Sequence, residues 1–179
     1  MTTPHFYNGP IINGYESSMW ELLELLLQPL NPHYRCCPQI ALELMCARDR
    51  NHYLQDSDLW KFWVSAKVDF AILDRSPGSD SKAHLAIECQ SHYHDDPDRQ
   101  SNDRKKAQLL AWAGIPLLYI RPLDQDYRYY RFYTPTLSHD LCYNLITQSP
   151  QADLQTLLQD LLTSPISANT LSSTTVQAA

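Results

Sequence analysis

Apolar residues recur along this chain with two different periods. Met19, Leu22, Leu23, Leu26 and Leu27 fall three or four positions apart, which predicts an amphipathic helix over 16–28. Pro29 and the Asn31-Pro32 pair stop it. Residues 34–40 read as a strand. Pro38 has no N–H to give to a ladder, so that strand belongs at a sheet edge or carries a bulge. A short helix over 41–46 and a polar loop over 47–58 follow. The next strand signal runs over 60–73, centred on Val68, Phe70 and Ile72. A Pro-Gly step among serines and aspartates makes 74–82 the turn into a partner strand at 83–91.

The second half begins with a polar run over 95–101 and a helix over 103–113, with Leu109, Leu110 and Trp112 available for a core. Gly114 suits the helix C-cap, and Pro116 bars continuation. Residues 116–120 read as a buried strand, 128–133 as a further strand and 138–147 as a helix. A final helix over 152–162 aligns Leu154, Leu157, Leu158, Leu161 and Leu162 on one face. This order predicts an α/β fold, a mixed central sheet flanked by helices. Residues 1–15 form an N-terminal arm, 16–162 a single domain, and the Ser/Thr-rich stretch 163–179 a disordered tail.

A chain of 179 residues is long enough for one domain with a full core. The net charge of −6 argues against a non-specific basic coat for nucleic acid, because phosphate affinity comes mainly from Lys and Arg. It leaves open an enzyme that acts on nucleic acid, since a metal site itself contributes acids. Cys36, Cys37, Cys46, Cys89 and Cys142 are odd in number and contain no CxxC pair, so they predict reduced thiols in a cytoplasmic protein. The N-terminus has no secretory pattern, and Glu24 and Pro29 interrupt its longest apolar stretch, so no membrane association is expected.

Chemistry concentrates on residues 67–121. Alternation along the strand at 83–91 puts Glu88 and Gln90 on one face and Ile87 and Cys89 on the other. Asp69, on the partner strand, can approach the face that carries Glu88. Two carboxylates roughly 5 Å apart at an effective dielectric of ~20 repel by about 3 kcal/mol. A shared proton, a basic neighbour or a divalent cation must offset that. Mg²⁺ prefers a few carboxylates with waters and phosphate oxygens, and so held it can activate water against a phosphodiester.

Plainer explanations exist for several of these residues. Asp69 could cap a turn or pair with Lys67, whereas a carboxylate as deep in an apolar strand as Glu88 is costly without a purpose. The run Asp95-Asp96-Pro97-Asp98 lacks the glycine and ligand spacing of a calcium loop. Residues 127–133 interleave tyrosines and arginines that could stack on bases, although an amphipathic edge strand accounts for the same pattern.

In order, the chain presents Glu16 on its first helix, Val68-Asp69-Phe70, Ile87-Glu88-Cys89-Gln90 and His94. Asn102-Asp103-Arg104-Lys105-Lys106 and Ala113-Gly114-Ile115-Pro116-Leu117-Leu118 follow. The ordered set, over about residues 16–121, resembles the PD-(D/E)XK restriction-endonuclease-like superfamily and, more narrowly, its very-short-patch-repair-like branch. The resemblance implies a restriction-endonuclease-like core with metal bound by Asp69, Glu88 and the backbone carbonyl of Cys89. Glu16 would complete or orient that shell. Lys106 would face the scissile phosphate with Asp103 beside it, and His94 would transfer protons.

Two positions depart from the pattern. Gln90 stands where the superfamily has Lys or this branch an acid; its amide could hold a water or the metal, and Lys105 or Lys106 could supply the missing charge from the helix. Tyr119 stands where the branch has Arg, and Arg121, two positions on along the same face, could substitute. The implied activity is Mg²⁺-dependent (or Mn²⁺-dependent) hydrolysis of nucleic acid, DNA ahead of RNA, with a homodimer left open. The alternative is a degenerate nuclease fold kept as a nucleic-acid-binding or protein-interaction module. The two differ on whether Lys105 or Lys106 reaches the acid pair.

Overall fold

Asn13 starts the first helix. Its side chain accepts the Glu16 N–H at 2.9 Å while the Glu16 carboxylate returns to the Asn13 N–H, a reciprocal cap that opens α1 (Gly14–Leu27). In the computed structural model, which describes residues 10–47, 57–90, 97–145 and 151–163, α1 buries Met19, Leu23, Leu26 and Leu27. The elements that follow are β1 (Tyr34–Ala41), α2 (Leu42–Met45), α3 (Ser57–Ser65), β2 (Lys67–Asp74) and β3 (Ala83–Cys89). After them come α4 (Pro97–Trp112), β4 (Leu117–Pro122), β5 (Tyr129–Tyr133), β6 (Asp140–Asn144) and α5 (Gln151–Thr163).

The strands form one six-stranded sheet in the order β1-β2-β3-β4-β5-β6. Every neighbouring pair is antiparallel except β3 and β4, which run parallel with α4 as the crossover between them. The fold is thus mixed α/β. Pro38 lies on the edge strand β1, where its missing N–H costs little.

Strand alternation divides the core into two. Phe70, Ile72, Leu85, Ile87, Leu118, Ile120 and Phe132 pack on the side covered by α1 and α5. Ala71, Ala86, Leu117 and Tyr119 pack on the other side with Leu42 of α2, Leu59 of α3 and Leu109 and Leu110 of α4. Asp69, Glu88, Gln90, Asp103 and Lys106 sit on this second side, whereas the Cys89 side chain and helix α1, which carries Glu16, belong to the first. Among the described residues no helix is long and apolar enough to cross a membrane. None of the five cysteines is bridged to another.

Four local expectations need correction. Residues 57–65 are a helix rather than the end of a loop and the start of a strand, because Leu59, Phe62 and Trp63 meet the sheet at helical spacing. The helix expected from residue 103 begins six residues earlier, at Pro97, a residue preorganised for the first helical position. Residues 140–144, expected within a helix, pair with β5 instead; an available sheet edge overrides a weak local helix preference. The first helix also begins two residues earlier than expected, inside the proposed arm. Residues 1–9 of that arm and 164–179 of the tail lie outside the described residues.

Candidate functional site

The register of β2 on β3 brings the two acids together. Phe70 is opposite Ile87, so one step along the ladder Asp69 stands beside Glu88. The Asp69 carboxylate accepts the backbone N–H of Cys89 at 2.7 Å, which fixes its direction. Glu88 is only 4% exposed. Its Oε2 lies 2.7 Å from Lys106 Nζ, delivered by α4, while its Oε1 is buried with no hydrogen-bond partner. Lys105 points elsewhere, over the Phe62 ring.

Burial is the largest influence on Glu88 and pushes its pKa up to about 8; Lys106 pulls the other way, and the charges of Asp69 and Asp103 add to the rise. That order is physically reasonable, because the desolvation of a buried ion pair can exceed its Coulombic gain. Glu16 is also raised, by partial burial first and the Asp69 charge second, and its hydrogen bonds with Asn13 oppose the rise.

Gln90 is buried as deeply as Glu88 and is held at both ends. Its Nε2 donates to Asp103 Oδ2 at 3.1 Å, and its Oε1 accepts from the Tyr133 hydroxyl. Tyr133 leans on Tyr119, with ring centroids 5.2 Å apart, and lies under the Arg131 guanidinium. Tyr119 of β4 is opposite Glu88 of β3 and Tyr133 of β5, so one row of residues crosses the sheet from the acids to the tyrosines. Arg121 reaches this row by a hydrogen bond to Tyr133. The Tyr119 hydroxyl is pushed up by burial, then by the charges of Asp103 and Glu88.

Asp69, Glu88, Gln90, Asp103 and Lys106 therefore converge, and Arg121 adjoins them through Tyr133. Glu16 spends its carboxylate on the α1 cap, at 2.7 Å from Asn13 Nδ2. The Cys89 thiol is buried on the opposite side of the sheet, where burial raises its pKa. His94 lies outside the described residues. Tyr133 was not singled out from the sequence as a site residue; its position in the aromatic run at 127–133 was the only signal, and the β4–β5 register gives that position its meaning.

Among the described residues no three His, Cys, Asp or Glu side chains group so as to hold a metal ion. Two carboxylates, one with a buried unpartnered oxygen, still fit an ion such as Mg²⁺, which takes few protein ligands and keeps waters and phosphate oxygens.

Residues 8–132 match the family described as a protein of unknown function, DUF2726. The chain belongs to the DUF2726 family. No curated protein and no solved structure matches it. The DUF2726 region contains every candidate residue from Glu16 to Arg121 and ends one position before Tyr133. Strand β6 and helix α5 lie beyond it.

Proposed function

We propose that this chain hydrolyses phosphodiester bonds of nucleic acid, DNA ahead of RNA, on a restriction-endonuclease-like core of PD-(D/E)XK type. The observation that carries this reading is the 2.7 Å contact of Lys106 with buried Glu88 beside Asp69. Desolvating this pair is costly enough to push the Glu88 pKa up to about 8, and a well-packed apolar pair would often stabilise the contact as well or better. A merely structural role therefore explains the pair poorly.

Asp69 and the buried, unpartnered Oε1 of Glu88 would hold the divalent cation, Mg²⁺ or Mn²⁺. When bound, that cation supplies Lewis-acid stabilisation of the charge on phosphorus and lowers the pKa of water. The chain's own residues provide the rest. Lys106 brings a positive charge to the acid pair without reorganisation at the moment of reaction. The Cys89 N–H aims Asp69, and Leu109, Leu110 and Tyr119 keep bulk water from the buried side of Glu88.

Wild type, Asp69→Asn, Glu88→Gln and Lys106→Met should be incubated with single- and double-stranded DNA and RNA in Mg²⁺, Mn²⁺ or EDTA. Metal-dependent cleavage by wild type is expected, with a loss on the order of 10²–10³-fold or more in each folded variant. No cleavage of any substrate by wild type with either metal would overturn the reading.

Gln90 favours a second reading. Its neutral amide is engaged at both ends, so it brings no charge to the acid pair. On that reading the domain is a non-catalytic nucleic-acid-binding or protein-interaction module. Oligonucleotide binding without cleavage, unchanged by Asp69→Asn, would be its signature.

A further inference from the structure

Position 90 has to satisfy two opposite demands at once. The Asp103 carboxylate oxygen accepts the Gln90 amide N–H, while the Tyr133 hydroxyl arrives as a donor. Lysine at position 90 could serve Asp103 but would leave the hydroxyl without an acceptor. Glutamate would accept from Tyr133 and repel Asp103. An amide of this length meets both demands.

The consequence is felt three residues along the helix. Asp103 and Lys106 share one face of α4, and Gln90 and Glu88 share one face of the chain along and just beyond β3. Helix and strand are thus tied at two points, residue 103 to 90 at 3.1 Å and residue 106 to 88 at 2.7 Å. Rotating α4 by one residue, about 100°, would carry Lys106 off Glu88. The tie at Asp103 opposes that rotation. Gln90 is itself braced from the far strand, because Tyr133 is packed between the Tyr119 ring and the Arg131 guanidinium.

We propose that Gln90 is a positioning residue: with Asp103 and Tyr133 it sets the rotational register of α4 against β3 and so holds Lys106 on Glu88. The structural half of this stands without any reaction, and its catalytic consequence rests on the nuclease reading above.

The test is NMR on the isotopically labelled full chain, reading the Lys106 ammonium signal and its scalar coupling to the Glu88 carboxyl. Gln90→Met keeps the length and removes the amide, and Tyr133→Phe removes only the donor. Leu158→Ala, in the core on the other side of the sheet, controls for general destabilisation. The coupling should disappear in Gln90→Met, weaken in Tyr133→Phe and persist in Leu158→Ala. In parallel, kcat for cleavage should fall about 10²-fold in Gln90→Met with KM little changed.

Unchanged coupling in both Gln90→Met and Tyr133→Phe overturns the proposal; if Gln90→Met does not fold, Tyr133→Phe decides alone. Coupling that responds as expected in a wild type that cleaves nothing upholds the clamp and removes the nuclease reading. Coupling that does not respond, in a wild type that cleaves, removes the clamp alone.

Discussion

Glu88 is held between burial, which favours its protonated form, and Lys106, which favours its carboxylate. Burial wins, so its folded pKa lies above its unfolded value. Its contribution to stability is then complete below the ordinary carboxylate range and is lost as pH rises through about 8. Glu88→Gln should remove this dependence. Urea unfolding between pH 5 and 9 should show wild type losing stability with rising pH and the variant losing clearly less; parallel losses would count against the assignment. Cleavage, which needs the carboxylate, should rise with pH toward about 8 for the same reason. Lys106→Met should cost about 1–2 kcal/mol at pH 9, where it removes the partner of the carboxylate and leaves protonation as the alternative. The cost should shrink near pH 6, where Glu88 takes up a proton. Denaturant melts at the two pH values would check this, and a pH-independent cost would refute it.

At the level of elements, two helix ends carry separable energies. The Asn13–Glu16 cap starts α1, and Asn13→Ala should destabilise the protein by about 1 kcal/mol. Gly114 ends α4 at φ +70° with open space where a Cβ would go. Gly114→Ala should therefore cost only the left-handed backbone term, about 1–2 kcal/mol, with no steric addition. Thermal melts of both variants would test these values. A much larger loss at Gly114 would mean hidden packing there. Both ends were legible to different degrees: Gly114 before Pro116 announced its cap in the sequence, whereas Asn13 and Glu16 did not stand out as one. Strand β6 was illegible, because its reason to be extended is its pairing with β5, from Tyr133 opposite Asp140 to Tyr129 opposite Asn144.

At the scale of the whole molecule, a cation that binds the folded acids and not the unfolded chain must stabilise the fold. At a Mg²⁺ concentration a hundredfold above its Kd the gain is about 2.7 kcal/mol. Asp69→Asn and Glu88→Gln should each abolish the Mg²⁺-dependent rise in Tm seen by calorimetry. Asn13→Ala should lower Tm and keep that rise. A rise retained in both acid variants would place the cation elsewhere.

The hydrophobic periods, with the Pro and Gly turn signals, determined most of the secondary elements, the mixed α/β class and the pairing of β2 with β3, because these depend on near neighbours and on which faces must be buried. The same alternation determined that Glu88 and Gln90 share a face. Tertiary structure decided what they meet there. Lys106, rather than Lys105, reaches Glu88 on the face of α4 that packing of Leu109 and Leu110 turns toward the sheet and that the Asp103–Gln90 tie holds in register. Glu16 faces its own helix cap, and Tyr133 joins Gln90 from a strand 43 positions away in sequence. Such contacts depend on helix rotation and strand order, which long-range packing sets and no local pattern encodes.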